Sequence, residues 1–135
     1  MRPIVLLSAL LLMSSPHASA QSGSPPTRDL YLFLFRPGPA WVANQPMAQQ
    51  NLGAHGAYHA GLVREGRSVA GGGYVGMDGG MAIVRAADAA EAREILAADP
   101  AIQSGVFAAE IRQWKPRFYS NQPLVEVPRN NAGQD

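Results

Sequence analysis

Leu30-Tyr31-Leu32-Phe33-Leu34-Phe35, followed at once by Arg36-Pro37-Gly38-Pro39, decides how this chain is read. An uninterrupted apolar run this short, stopped by a Pro-Gly-Pro cluster, predicts a central buried strand and not a helix. Downstream, the pattern from Gln45 to Glu65 turns helical, with Asn44 as N-cap, Pro46 tolerated in the first turn and Gly66 where a C-cap glycine belongs. Leu52, His55, His59 and Leu62 recur at spacings of three, four and three and so share one face of that helix. Ser68–Val75 and Met81–Ala86 read as strands joined by a turn around Gly76 to Gly80, where Asp78-Gly79 is a strong turn pair. Asp88-Ala89-Ala90-Glu91 has the form of a capping box, and the helix it opens buries Ala92, Ile95 and Leu96 before stopping at Asp99-Pro100. Alternation from Val106 to Phe118 supplies a last strand with one covered face.

The order strand, helix, strand, strand, helix, strand is made most economically as an α+β ferredoxin-like βαββαβ sandwich. That is an antiparallel four-stranded sheet with both helices on one face. The other sheet face is left uncovered, so a homodimer packed sheet against sheet is expected.

The ends of the chain read differently from its middle. Arg2 precedes an uncharged apolar stretch from Ile4 to Met13, and Ala18-Ser19-Ala20 then precedes Gln21. This is the pattern of a secretory signal peptide over residues 1–20, since the apolar run is about half the roughly twenty residues a spanning helix needs. Residues 21–27 form a flexible lead-in, 28–119 the folded domain and 120–135 a loose tail rich in Asn, Gln and Pro. The expected location is periplasmic or secreted, with no membrane contact once the leader is cleaved.

Cleavage removes Arg2 and leaves ten basic and ten acidic residues, spread along the chain. A nucleic-acid partner is therefore not expected, because phosphate binding needs a concentrated basic surface. The chain has no Cys, which excludes disulfides, thiolate metal centres, cysteine hydrolases and lipid attachment at a new N-terminus. A small exported domain without disulfides has added reason to recruit a second copy for its core.

Leu30 to Phe118 resembles the YCII-related (YciI-like) family. The resemblance rests on the aromatic-aliphatic first strand, a helix histidine ten residues before Glu65-Gly66-Arg67, the run Ala70-Gly71-Gly72-Gly73, and Ala98-Asp99-Pro100 ending the second helix. It implies a dimeric α+β barrel of ferredoxin-like subunits, with His55 and Asp99 meeting in a cleft as the active site. It also brings an association with dechlorination of a hydroxyhydroquinone and, through the shared fold, with lactone isomerases.

The residues carry their own chemistry. An imidazole on the sheet-facing side of a helix, with a carboxylate to fix its tautomer, accepts protons near neutral pH. That makes His55 a candidate general base and Asp99 its orienter, suited to isomerisation or elimination on a small cyclic or aromatic molecule. No Ser stands in a nucleophile motif. The alternative is a non-catalytic periplasmic module that binds a ligand or protein, in which His55 is sealed in the core or Asp99 merely caps backbone amides.

His55 and His59 at i and i+4 have the spacing of a metal chelate. However, Gly56, Ala57 and Tyr58 between them supply no Glu, and third ligands such as Asp78 or Asp99 are unspecified, so no metal and no cofactor is expected. His59 instead lines the same cleft, with Tyr58 at its rim or facing solvent. Gly72 and Gly73 allow close backbone approach to a substrate, or a bulge where the sheet bends, and lack the features of a phosphate-binding loop. Arg36 is a candidate for an anionic substrate group, and Arg112 a further one. Trp41 and Trp114 are candidate anchors at the core, cleft or dimer interface.

Overall fold

The computed structural model describes residues 28–120 and residue 122; the predicted leader, the whole lead-in and most of the tail lie outside them. The chain runs β1 (Asp29–Pro37), a short 3-10 helix (Met47–Gln49), α1 (Gly53–Arg64), β2 (Ser68–Gly73), β3 (Gly80–Ala86), α2 (Ala89–Ala97), α3 (Pro100–Gln103) and β4 (Phe107–Trp114). The strands form one antiparallel sheet in the order β2-β3-β1-β4, the arrangement of a ferredoxin-like α+β sandwich.

The apolar run of β1 is central because both faces of that strand are used. Tyr31, Phe33 and Phe35 are buried beneath the helices, while Leu30, Leu32 and Leu34 alternate with them onto the opposite face and stay half-buried. Register puts Leu32 beside Ile83 and Leu34 beside Met81, so the apolar stripe continues across β3 on the uncovered face. On the covered face Ala82, Val84 and Ala86 of β3 meet Leu62 of α1, Ala92 and Ile95 of α2, and Ala101 of α3.

α1 begins later than its apolar pattern predicts. Asn44 does not cap it; that residue takes φ of 63°, a left-handed conformation Asn tolerates, inside a loop. The buried Gln50 explains the delay: its Oε1 accepts from the Val42 amide and its Nε2 donates to the Val42 and Gln45 carbonyls. Backbone groups that a longer helix would have used are satisfied by one side chain instead. The other end is as predicted. Gly66 has φ of 70°, its amide donates to Val63 O and the Arg67 amide to Leu62 O, a paired closure that only a residue free to adopt positive φ makes readily.

Asp88 caps α2 by accepting from the Ala90 and Glu91 amides, and Glu91 reaches back to the Ala87 amide, one residue before the cap. Asp99 does more than end α2. It opens α3, whose first residue is Pro100, and accepts from the Ala101 amide. The sheet thus carries a third, short helix that the sequence pattern does not announce.

Candidate functional site

Two side chains of α1 and one from the α2–α3 junction converge. The Nδ1 of His55 lies 2.9 and 2.8 Å from the two oxygens of Asp99, and the Nε2 of His59 lies 3.0 Å from Oδ2. Spacing of i and i+4 on α1 sets the imidazoles side by side, tilted by 54° with ring centroids 4.6 Å apart. Phe35 of β1 meets both rings edge-on, at 5.2 and 5.6 Å, and Phe107 of β4 meets His55 at 5.3 Å. These contacts fix where the rings stand, and the carboxylate fixes how they are turned.

Asp99 is fully buried. Burial by itself would raise its carboxyl, but hydrogen bonds from His55, His59 and the Ala101 amide outweigh that and hold it well below the ordinary carboxylate range. An ionised carboxylate only accepts, so each histidine must donate from the nitrogen that faces it. His55 therefore carries hydrogen on Nδ1 and His59 on Nε2. The opposite nitrogens have no partner among the described residues, and no fully buried side-chain nitrogen or oxygen there lacks one, so neither is sealed in the core.

The two histidines stand in the wall of a cleft of about 460 Å³ between α1 and the β2–β3 edge of the sheet. The cleft exists because side chains are missing. Gly56 and Ala60, at i and i+4 on α1, form one wall with the histidines, and the backbone of Gly71, Gly72 and Gly73 forms the other. A Cβ on Gly71 would come within 3.4 Å of Ala82 Cβ, and one on Gly73 would meet the methyl of Met47, which lies across that end. Phe35, Leu52, Val63 and Phe107 complete an apolar lining that includes no Asp, Glu, Lys or Arg.

Of the residues singled out from sequence, His55, His59, Gly72 and Gly73 line this cleft, and Asp99 sits behind the histidines. Arg36 does not come to it. It follows Phe35 on the strand, so its side chain leaves the sheet on the other face, where it is exposed. Arg112 is likewise exposed and pairs with Glu110. Tyr58 faces neither the rim nor open solvent, but donates from its hydroxyl to Ile95 O at 2.7 Å and ties α1 to α2. Trp41 stacks on Phe107, and Trp114 lies beside Leu30 on the uncovered sheet face.

The bulge in β2 falls between Ser68 and Ala70, ahead of the glycines, whose main effect is to leave the cleft empty. Sequence reasoning missed the Gly56/Ala60 stripe and Met47. The stripe carried a signal, small residues at helical spacing beside histidines; Met47 carried none.

Ligand atoms of His55, His59 and Asp99 lie within 4.8 Å of one another, the spacing of a potential metal site. Asp78 is in the exposed β2–β3 turn and is not part of this group. An ion there would have to displace the protons that these short contacts hold, at a carboxylate with no accessible surface whose two oxygens already accept from His55, His59 and the Ala101 amide. The arrangement is that of a proton-holding cluster.

No curated protein and no solved structure matches this chain. A family model does: that of the YCII-related domain, over residues 30–115, from the second residue of β1 to the residue after β4. The chain therefore belongs to the YCII-related domain family.

Proposed function

We propose that this is an exported acid/base enzyme that takes a proton from a small, uncharged cyclic or aromatic molecule, with His55 as general base and Asp99 as its orienter. One observation carries the reading: a buried carboxylate accepts from His55 Nδ1 while His55 Nε2 is left bare beside an apolar cleft. In that state the imidazole has its lone pair on the cleft side. The imidazolium that forms is stabilised by the charge behind it. The lining supports an uncharged substrate, since it includes no Lys or Arg to pair with an anion. The reaction requires no cofactor. The second copy of the chain is expected on the half-buried row of Leu30, Leu32 and Leu34, which completes a dimeric α+β barrel and leaves the cleft on the helix side free. Export rests on the pattern of residues 1–20.

That Asp99 also caps the Ala101 amide is what a purely binding module would show, so the two readings separate on His55. Small cyclic ketones, incubated with the full chain in D2O, should gain deuterium next to the carbonyl, and His55→Gln should abolish the gain without changing the oligomeric state. Exchange by the variant at the rate of the parent chain sinks the enzyme reading and leaves the binding module.

A further inference from the structure

We propose that His59 is a second proton carrier, so that the cleft moves a proton between two carbons of one substrate: His55 removes it from the first and His59 supplies one to the second. The inference rests on the acid/base reading above and narrows it to isomerisation.

The geometry treats the histidines alike. Both donate to Asp99, sharing Oδ2 at 2.8 and 3.0 Å, and both line the same cleft. They use opposite nitrogens to do so, which turns Nε2 of His55 and Nδ1 of His59 outward, each without a partner among the described residues. With ring centroids 4.6 Å apart, one flat ring can touch both. Packing does not require a second imidazole, because the edge contact of His59 with Phe35 at 5.6 Å would be served by any apolar ring.

Charge then divides the roles. One carboxylate, Asp99, stands behind the histidines and no Asp, Glu, Lys or Arg lines the cleft, and that carboxylate balances one imidazolium but not two. In the proposed cycle the substrate meets His55 as the neutral imidazole and His59 as the imidazolium.

In a β,γ-unsaturated ketone, the C–H bond between the carbonyl and the alkene breaks. Its proton goes to His55 Nε2 and its electron pair into a dienolate. A new C–H bond forms at the far alkene carbon with the proton from His59 Nδ1 as the carbonyl re-forms, now conjugated. His55 then loses its proton and His59 regains one at the solvent-facing mouth, so nothing is oxidised or reduced and no proton is gained overall.

The probe is 3-cyclohexenone carrying deuterium at C2, given to the full chain in H2O, with conversion followed by enone absorbance and label by NMR. The expected result is 2-cyclohexenone with ordinary hydrogen at C4, because the abstracted and delivered protons are different ones. His59→Gln keeps an N–H for Asp99, and it should lower the ratio of conversion to C2 exchange by about 100-fold, the scale of one general acid; His59→Asn serves as a second variant. Deuterium carried from C2 to C4, or an unchanged ratio in both variants, means that His55 works alone and overturns this proposal while leaving the acid/base reading standing. Neither exchange nor conversion by the parent chain overturns both.

Discussion

Replacing Asp99 with Asn tests the centre of the site without altering its shape. Asn is as good a helix cap as Asp, so its oxygen should keep the 2.9 Å bond from the Ala101 amide and α3 should persist. The other end of the group becomes NH2, facing two N–H donors at 2.8 and 3.0 Å. Two charge-assisted hydrogen bonds of roughly 1.5–3 kcal/mol each are lost. The rings can recover part of this by accepting from the amide, which leaves a net loss of about 2–4 kcal/mol near neutral pH.

That recovery moves each ring's hydrogen to the nitrogen in the cleft, where the base needs a lone pair. Proton abstraction should therefore fall by about 10²–10⁴ even in molecules that remain folded. Acid supplies the control. The folded carboxyl of Asp99 is held below its ordinary value, so its contribution is present above about pH 4 and is lost as pH falls toward the depressed folded value. In urea unfolding the gap between parent and variant should shrink by about 1 kcal/mol between pH 7 and pH 3. Histidine ¹⁵N spectra should show both tautomers reversed in the variant. A variant as stable as the parent at pH 7, with unchanged tautomers, would refute the placement of the charge.

Gly79 has φ of 107° and its Cβ would run into the Phe35 carbonyl oxygen, so Gly79→Ala should destabilise by about 2 kcal/mol or more. Gly72→Ala, with nothing within 4 Å of the new methyl, should stay within about 0.5 kcal/mol in the same melt. Leu32→Asp puts a charge in the middle of the uncovered sheet face and should turn a dimer into a monomer with an unchanged circular dichroism spectrum; a variant that scatters light as a dimer places the interface elsewhere. Edman sequencing of the exported protein should begin at Gln21, and a product that retains Met1 contradicts the leader.

Local chemistry made much of this fold legible. The run Leu30 to Phe35 is central, Gly66 closes α1 and Asp88 caps α2, because apolar alternation, positive φ and capping are decided within a few residues. What was not legible depends on partners distant in sequence or on patterns too short to repeat. The start of α1 is set by Gln50 reaching back to Val42, and α3 is a single turn with no periodicity to read. The cleft could not be read because it is an absence, formed where Gly56 and Ala60 face the glycines of β2 across a gap that only the tertiary arrangement defines. The position of Arg36 was within reach: one step along β1 from Phe35 reverses the face, and parity alone puts it outside the cleft.

Asp99 shows why a bland and a functional reading of one residue need not compete. Asp before Pro ends a helix and opens another for reasons of backbone chemistry, and Asp99 does so through its bond to the Ala101 amide. That bond also holds the carboxylate against rotation, and a carboxylate so held can align His55 and His59 at 2.8 and 3.0 Å more exactingly than one on a free side chain. The cap is thus part of the site's accuracy. Asp99→Glu keeps the charge but moves it out by one methylene, and it should damage catalysis more than stability. If charge alone mattered, the Glu variant would exchange substrate protons at the parent rate. If position matters, it should resemble Asp99→Asn in exchange rate while retaining the loss of stability below about pH 4 that marks an ionised carboxylate.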